Sequence, residues 1–472
     1  MTYDVVVAGA GPVGLMVATE LALRGVSVLV IERLTEPDLT IKAGSITVPT
    51  AEAFDRRGLL PALRAAQEQS MVKMREFMAA RRPAGAAPPK APPRIAGHFG
   101  GIMLSADRID PAEPSLLGHG AAATVILVVQ TEIERILADR AAELGVEVWR
   151  GVEVTGLEQD DDGVRVGLGD GRRVSAGWLV GADGGRSVVR KAAGFDFPGT
   201  DPQITGRQAV VELTGGEQLG AGWQATPTGV YAHGPMPGRI LTVEFDGPPA
   251  DRDAPITAAE LEKSLRHVSG ADVTIERVVT ATRFTDNARQ ASRYRIGRVL
   301  LAGDAAHVHS PFGGQGLNLG IGDAMNLGWK LAAEVRGWAP AGLLETYTSE
   351  RHPIGAWVLD WTRAQIAIMR PEPYARALRS IVADLAATVD GTTYLATSIA
   401  GVRDRPRTAP PELAPHLHDG RGLLVGAKAP GYEDRLHMIE APGEPLLIRP
   451  DGVVAWTAGD GPLVDALRTW FG

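Results

Sequence analysis

A glycine-rich turn near the N-terminus carries the clearest chemical signal. Gly9, Gly11 and Gly14 separate an apolar stretch, 4–8, from an apolar helical stretch. Gly9 permits a tight turn, Gly11 lets the main chain approach a pyrophosphate, and Gly14 lets helix and strand pack closely. Glu32 follows at the end of the next apolar stretch, where its carboxylate can accept hydrogen bonds from a ribose diol. This spacing predicts a βαβ unit that binds a dinucleotide at a helix N-terminus; glycines used only for helix packing are the alternative.

Two further segments contain residues that could complete such a site. Residues 181–187 read GADGGRS and include Asp183 and Arg186, and residues 303–318 read GDAAHVHSPFGGQGLN. Taken alone, the second segment places Asp304 at the carboxyl end of a strand, followed by a glycine-rich loop and a helix. It supplies a carboxylate for a sugar hydroxyl and a row of N–H groups for an anionic or electron-rich ring. A helix N-cap role for Asp304 is the alternative.

Composition removes several classes of protein. The 472 residues include no cysteine, which excludes disulfides, thiolate zinc sites, iron–sulfur clusters and dithiol redox chemistry. Any redox work therefore needs a bound cofactor. The formal charge of −8 argues against a nucleic-acid-binding protein. The N-terminus lacks a signal-peptide pattern, and the longest apolar run, 120–129, is too short to span a bilayer. We expect a cytoplasmic protein without a membrane partner.

Taken together, the three segments resemble those of the class A flavoprotein aromatic hydroxylases, the family of para-hydroxybenzoate hydroxylase. The resemblance is strongest to the group that hydroxylates aromatic polyketides such as angucyclines and anthracyclines. It covers residues 1 to about 355 strongly and extends more weakly to the end, where 449–456 (RPDGVVAW) matches the closing hairpin of a thioredoxin-like domain. The implied fold is α/β: a Rossmann-like FAD-binding domain, an interleaved antiparallel-sheet substrate domain and a small C-terminal thioredoxin-like α/β domain.

The resemblance also implies domain boundaries and site residues. The FAD-binding domain with its helical extension would comprise 1–72, 124–200 and 284–400, the substrate-binding sheet domain 73–123 and 201–283, and the reduced thioredoxin-like domain 401–472. We expect the last to be structural. The residues implied to bind FAD, some of them also near a transient NADPH or NADH, are Gly9, Gly11, Gly14, Glu32, Arg33, Lys42, Gln130, Asp183, Arg186, Asp304, Pro311, Gly314, Gly316, Leu317 and Asn318.

The implied reaction is a hydroxylation that consumes NADPH or NADH and dioxygen. Reduced flavin would add dioxygen at C4a, and the distal oxygen of the hydroperoxide would attack an electron-rich carbon of a polycyclic aromatic substrate. The protein must keep water away. No metal is needed, and the sequence identifies no catalytic side chain. The alternatives are Baeyer–Villiger oxidation, epoxidation or antibiotic inactivation on the same fold, or a flavin-binding protein that has lost oxygenation. We expect a monomer or a homodimer.

Two positions depart from the pattern of the family, which usually has arginine where Lys42 and Pro49 stand. Lysine keeps the charge but loses the planar guanidinium, and proline loses the contact. The substrate would lie between the flavin and the antiparallel sheet. The candidate residues there are Arg207, Trp223, Tyr231, His233 and Phe245, although burial within the sheet is the alternative for each of them.

The elements that must position these residues follow from hydrophobic periodicity and turn residues. We predict a helix over 131–144, hairpin turns at Asp162–Gly163 and Asp170–Gly171, strands between 205 and 285, a helix over 320–334 and helical structure over 342–400. Prolines predict a loop over 81–94 and a linker over 405–415. His307 and His309 have the spacing of a metal pair, but no third ligand is evident, and we interpret them as structural. Asp160–Asp162 is interpreted as a solvated turn.

Overall fold

The computed structural model describes residues 2–80, 94–234, 236–441 and 443–472. Nearly all of the proline-rich stretch that the sequence predicts to be a loop, 81–94, lies outside these ranges. Within the described residues no helix is long and apolar enough to cross a membrane.

The described residues contain 22 strands in five sheets. In chain order they are β1 (Thr2–Ala8), β2 (Val28–Glu32), β3 (Ile95–Phe99), β4 (Ile102–Ser105), β5 (Glu147–Arg150), β6 (Val154–Gln159), β7 (Val164–Leu168), β8 (Arg173–Gly181), β9 (Gly199–Thr200), β10 (Thr205–Thr214), β11 (Gly222–Thr226), β12 (Gly229–His233), β13 (Arg239–Glu244), β14 (Thr274–Phe284), β15 (Ala288–Gln290), β16 (Arg295–Ile296), β17 (Val299–Leu301), β18 (His307–Val308), β19 (Gly422–Val425), β20 (Leu436–Ile439), β21 (Leu446–Ile448) and β22 (Val454–Thr457).

Eleven α-helices occur in the same described ranges. They are α1 (Pro12–Ala22), α2 (Val48–Asp55), α3 (Leu60–Ala80), α4 (Gln130–Glu143), α5 (Val188–Ala192), α6 (Ala258–Ser269), α7 (Gln315–Val335), α8 (Thr346–Met369), α9 (Pro373–Ala386), α10 (Val389–Ala400) and α11 (Leu463–Phe471).

Five parallel strands form the centre of the largest sheet, in the order β17-β8-β1-β2-β5. The residues of β2 and β17 are almost all buried and apolar, as expected for strands covered on both faces. At the carboxyl edge Ala182 N donates to Ala8 O (2.8 Å) and Ala302 N donates to Gly181 O (3.0 Å). The three motifs singled out from the sequence therefore emerge side by side at one edge, and the predicted βαβ unit is confirmed.

A meander of β6, β7 and β8 leads into this sheet, which confirms the two predicted hairpin turns. α4 also agrees closely with the predicted helix. α7 differs, because it begins at Gln315 rather than at residue 320. The two preceding glycines, Gly313 and Gly314, take positive φ values of +85° and +64° and complete the turn by themselves, so the helix starts directly after them.

A second sheet is antiparallel, in the order β11-β12-β13-β10-β14, and confirms the strands predicted between 205 and 285. α6 packs on one face of this sheet through a cluster that includes Leu261, Leu265 and Val268. The opposite face packs against Phe312, in the loop that precedes α7, and against Ile366 and Met369 of α8. Its two faces therefore have different partners.

The C-terminal sheet has the order β22-β21-β19-β20, and β21 is antiparallel to both of its neighbours. This mixed arrangement confirms the thioredoxin-like fold class, although residues 426–435, between β19 and β20, form no helix. A buried arginine joins this region to the rest: Arg57 pairs with Glu20 and donates to the carbonyls of Leu417 (2.8 Å) and Pro450 (2.9 Å). The structural role of this domain and its exact boundaries stay predictions.

Candidate functional site

The first glycine of the N-terminal turn is held in a conformation that other residues rarely adopt. Gly9 has φ of +103°, and a Cβ atom there would lie 2.4 Å from the carbonyl oxygen of Ala182. A Cβ on Gly14 would lie 1.9 Å from the carbonyl oxygen of Gly9. Both positions therefore require glycine for close packing between the turn, α1 and the end of β8.

Gly11 is different, because nothing lies within 4 Å of the place where its Cβ would be. It is the N-cap of α1, and Pro12 occupies the first turn. The open space faces the end of a helix, where unpaired N–H groups and the helix dipole favour an anion. This is the cradle that a pyrophosphate fits, and a side chain on Gly11 would enter it.

The second loop, 311–318, ends in a similar helix terminus. Gly314 is the N-cap of α7, and Asn318 ties the first turn together: its Nδ2 donates to Gly314 O (2.9 Å) and its Oδ1 accepts from Thr47 N (2.8 Å). The main chain at Gly316 lies near two polar groups. A Cβ atom there would lie 3.5 Å from His309 Nε2 and 3.9 Å from Asp304 Oδ1.

The two loops meet at the first turn of α1. A Cβ on Gly303 would lie 3.0 Å from a Val13 methyl group, and a Cβ on Gly320 would lie 2.5 Å from the same methyl group. Glycines in both segments thus let α1, the Asp304 turn and α7 approach closely. Two helix N-termini far apart in sequence converge on one space, as a dinucleotide with a ring system would require.

The acidic residues predicted from the sequence line this space in different ways. Glu32 accepts hydrogen bonds from Ala10 N (2.8 Å) and Leu34 N (2.9 Å), and the bond to Ala10 stabilises the first glycine loop. Asp304 is exposed and forms no hydrogen bond with any described residue. Asp183 caps α5 by accepting from Val188 N (2.7 Å), while its Oδ1 is buried without a partner among the described residues. The exposed carboxylate of Asp304 is therefore available to hydroxyl groups, whereas each oxygen of Glu32 already accepts one main-chain hydrogen bond and could accept only one more.

Four of the other predicted residues contact residues outside the two glycine loops or are exposed. Arg33 is exposed, and Lys42 pairs with Asp38 at 3.0 Å. Gln130 begins α4 and donates to Glu134 (2.8 Å). Arg186 forms an exposed ion pair with Asp253, in the connection between β13 and α6.

Of the remaining predicted positions, Pro311 is exposed and Leu317 is buried in the first turn of α7. Pro49 lies in the first turn of α2, and its ring faces Gly401, whose Cβ would be 3.3 Å away. In this chain, the residue at the position where the family usually has arginine thus begins a helix and packs against Gly401.

The two histidines between β17 and α7 have structural contacts. His307 is fully buried and its Nε2 lies 2.7 Å from Asp323 Oδ2; the other carboxylate oxygen accepts from Arg351 Nε (2.8 Å). Although burial alone would raise it, these two partners hold the pKa of Asp323 below its usual value. His309 Nδ1 lies 2.7 Å from Ser310 O. The structural interpretation of His307 is confirmed by these bonds, which hold the Asp304 turn against α7.

The face of the antiparallel sheet that looks toward Phe312 presents a straight row of side chains. The pairing registers place one residue from each strand in line across the sheet: Trp223, Ala232, Leu241, Gln208 and Thr282. Four steps between strands span about 19 Å. The row is aromatic at one end and polar at the other, where Gln208 Nε2 and Thr282 Oγ1 both donate to Ile41 O.

Aromatic rings enclose one end of this row. Phe312 lies edge-on to Trp223 and to Phe284, with ring centroids 6.0 and 5.7 Å apart. Because Phe312 belongs to the second glycine loop, the apolar floor lies directly beside that loop. An apolar, aromatic-lined floor of this kind suits a flat polycyclic ligand.

The five substrate candidates divide between the two faces of the sheet. Trp223 and Phe245 pack in the cluster that contains Phe312. Arg207 and Tyr231 face α6 instead: Arg207 pairs with Glu260 (2.7 Å), and Tyr231 packs in the α6 cluster. His233 follows Tyr231 by two residues in β12 and so shares that face. These three positions give no support to substrate contact, because the sheet separates them from the floor.

One polar residue at the floor has no counterpart among the sequence candidates. His98, in β3, lies against Trp223 with ring centroids 4.6 Å apart. Burial, and then the positive charge of Arg379, lower the pKa of His98 to about 4. The imidazole is therefore neutral near pH 7. The sequence carries no signal that singles out His98, because residues 95–99 (IAGHF) show no regular alternation of apolar and polar residues.

The fold and the site define an α/β dinucleotide-binding protein in which an apolar, partly aromatic face of the antiparallel sheet lies beside the second glycine loop. The family model described as FAD binding domain matches residues 2–362, and the one described as aromatic-ring hydroxylase, C-terminal, matches residues 403–472. The chain therefore belongs to the FAD-binding aromatic-ring hydroxylase family and is an FAD-dependent aromatic monooxygenase, as the resemblance implied.

Individual relatives match over nearly their whole length. The 12-dehydrotetracycline 5-monooxygenase/anhydrotetracycline 6-monooxygenase of Streptomyces rimosus is 39% identical, over 100% of this chain and 99% of the relative. The structure of the anhydrotetracycline hydroxylase OxyS from Streptomyces rimosus has a TM-score of 0.82 and 38% identity, with 100% and 99% coverage. The dialkyldecalin synthase of Streptomyces rugosporus is 38% identical, again over 100% of this chain and 99% of the relative.

Proposed function

We propose that this protein binds FAD between the two glycine loops, consumes NADPH or NADH, and uses dioxygen to hydroxylate a polycyclic aromatic compound of the polyketide type. The observation that carries the proposal is the position of the apolar floor. The row from Trp223 to Thr282 lies beside Phe312, and Phe312 belongs to the loop that begins α7. A flat ligand on this floor would lie next to the flavin ring.

The residues present fit FAD. Gly11 leaves room for a pyrophosphate at the start of α1, Asp304 and Glu32 offer carboxylate oxygens to sugar hydroxyls, and α7 directs its first N–H groups at the same space. When bound, FAD would accept hydride from NADPH or NADH and activate dioxygen for the transfer of one oxygen atom. The N–H groups of α7 would favour the negative charge of a reduced ring.

The chain itself contributes binding, orientation and exclusion of water. Trp223, Phe284 and Phe312 form an apolar enclosure that keeps water from the reacting atoms. The polar end of the row, Gln208 and Thr282, is anchored to Ile41 O and fixes one edge of the floor to the FAD-binding domain. No side-chain nucleophile is required for this chemistry.

The polyketide class of substrate is supported by the names of the relatives. Two of them are named as oxygenases of tetracycline compounds, which are fused-ring polyketides, and the length of the floor suits a fused-ring skeleton. We propose the same chemical class for this protein: a flat, fused aromatic system with oxygen substituents.

The test is a product analysis with the purified holoenzyme. The protein is given NADPH or NADH in air with a panel of polyketide phenols, while nicotinamide oxidation and product masses are followed. A substrate that gains one oxygen atom as it stimulates nicotinamide oxidation supports the proposal. Flavin that stays oxidised with both nicotinamides, in the presence of every compound, contradicts it.

A second candidate is a flavin-binding protein of this fold that does not oxygenate its ligand. Two observations favour this second function. One relative is named a dialkyldecalin synthase, and Pro49 stands where the family usually has arginine. The same experiment separates the two, because such a protein would convert its ligand, or bind it, without gain of oxygen. Baeyer–Villiger oxidation and epoxidation also add one oxygen and are distinguished from hydroxylation by the product's structure.

A further inference from the structure

We propose that His98 is a specificity-determining residue, which donates a hydrogen bond from Nε2 to a carbonyl or hydroxyl oxygen of the substrate at the Trp223 end of the floor. The inference rests on the proposed function and adds to it a particular contact: an oxygen substituent at the end of the fused ring system. It therefore predicts which polycyclic ligands the pocket prefers.

The position of His98 is fixed through the hairpin of β3 and β4. Gly100 N, two residues further on, donates to Gln365 Oε1 (3.0 Å), and Gln365 Nε2 donates to Phe312 O (3.3 Å). One side chain of α8 thus ties this hairpin to the loop beside the flavin. Trp223 also packs closely against Gly101, whose Cβ would lie 3.2 Å from its ring. His98 is therefore held in register with both the floor and the cofactor loop.

The hydrogen bonds of the imidazole determine which nitrogen carries the proton. Gly101 N donates to His98 Nδ1 (3.3 Å), so Nδ1 is the acceptor and, in the neutral ring, Nε2 carries the hydrogen. Nε2 has no hydrogen-bond partner within the described ranges. The protein also does not enclose this atom completely. An N–H donor is therefore free and accessible beside the apolar floor.

The surroundings make this donor selective. Its neighbours on the floor are aromatic and apolar, and the nearby cation, Arg379, already donates through Nη1 to Gly100 O (2.5 Å). An unpaired donor in such desolvated surroundings is costly. The neutral state of His98 means that it contributes a directional hydrogen bond rather than a charge. A ligand with an oxygen at this end of the ring system gains the bond; one without it leaves the donor unpaired.

The test compares two probes on the FAD-loaded protein. The first is 1,8-dihydroxyanthraquinone, and the second is anthracene, a fused tricycle of the same size without oxygen. Binding is measured from the change in flavin absorbance during titration. His98→Phe keeps a flat ring against Trp223 but removes the donor, His98→Gln keeps an N–H donor, and His267→Phe is a matched control at an exposed position on α6.

We expect His98→Phe to weaken binding of the dihydroxyanthraquinone about tenfold and to leave anthracene binding unchanged. His98→Gln should retain most of the preference, and His267→Phe all of it. The inference is overturned if His98→Phe, with normal flavin content, binds both probes as the wild type does or loses both equally. Wild-type protein that is loaded with FAD but binds neither probe would overturn the proposed substrate class itself, and the inference with it.

Discussion

The cofactor cradle and the substrate floor lie side by side but are built by different means. The cradle is made of main chain: glycines at 9, 11 and 14 and the N-termini of α1 and α7 present N–H groups and space. The floor is made of side chains that four strand pairings bring into one row. A main-chain site fails as a unit when its geometry is disturbed, whereas a side-chain site can be adjusted one contact at a time. Substitutions in the two regions should therefore differ in the kind of effect that they have.

The largest effect is expected for Gly14→Ala. The added Cβ would meet the carbonyl oxygen of Gly9 at 1.9 Å, and both atoms belong to tightly packed main chain, so the turn must move. We expect a loss of about 1–3 kcal/mol in the free energy of unfolding, measured by denaturant titration, together with purification of largely flavin-free protein. Gly156→Ala, with nothing within 4 Å of the new Cβ, is the control. Normal flavin content in Gly14→Ala would refute the geometry described for the first loop.

Gly11→Ala separates binding from stability within the same turn. Its Cβ would enter open space, and its φ of −71° suits any residue, so the flavin-free protein should unfold within about 1 kcal/mol of the wild type. The FAD dissociation constant should still rise about tenfold or more, because the methyl group occupies the space assigned to the pyrophosphate. Flavin fluorescence titration measures this constant, and an unchanged value would place the pyrophosphate elsewhere.

On the floor, Trp223→Ala should weaken binding of 1,8-dihydroxyanthraquinone about tenfold while flavin content stays normal, because an aromatic contact is lost without disturbing the cradle. Tyr231→Phe is the matched control, since that ring faces α6 and its hydroxyl accepts from Gly220 N. Equal losses in both variants would mean that the two faces of the sheet do not differ as described.

The smallest effect concerns pH. The pKa of His98 in the folded protein, about 4, lies below the ordinary histidine value of 6.5, so the unfolded chain binds more protons between these values and stability falls as the pH drops through this window. Between pH 7.5 and 6, the wild type should lose about 1 kcal/mol of unfolding free energy more than His98→Gln does. Equal pH dependence of the two proteins in denaturant titrations would show that His98 is not buried beside Arg379.

The cradle could be predicted from the sequence because its requirements are local. Gly9, Gly11 and Gly14 stand at fixed spacing, and the residue types report directly on the backbone. That Val13 packs against both Gly303 and Gly320 could not be read from the chain, since it depends on how distant segments pack. The resemblance to a known family is what predicts that these distant segments share one site. It also predicts the fold class and FAD as the cofactor.

The floor was only partly predictable, for a physical reason. The alternation of residues in a strand shows which of them share a face, but not which face looks toward the cofactor. Tyr231 and Trp223 were therefore equal candidates, although one faces α6 and the other faces Phe312. His98 was missed because its role depends on a contact between the β3–β4 hairpin and a distant strand.

The central claim is that one FAD occupies the space where α1 and α7 converge. The most direct measurement is the flavin content of the purified protein, determined by absorbance of the released flavin and by protein concentration. We expect a yellow protein with about one FAD per chain, and less FAD per chain in Gly11→Ala that is purified and dialysed in the same way. A colourless wild-type protein that takes up no FAD on incubation, or a Gly11→Ala variant as yellow as the wild type, would contradict it.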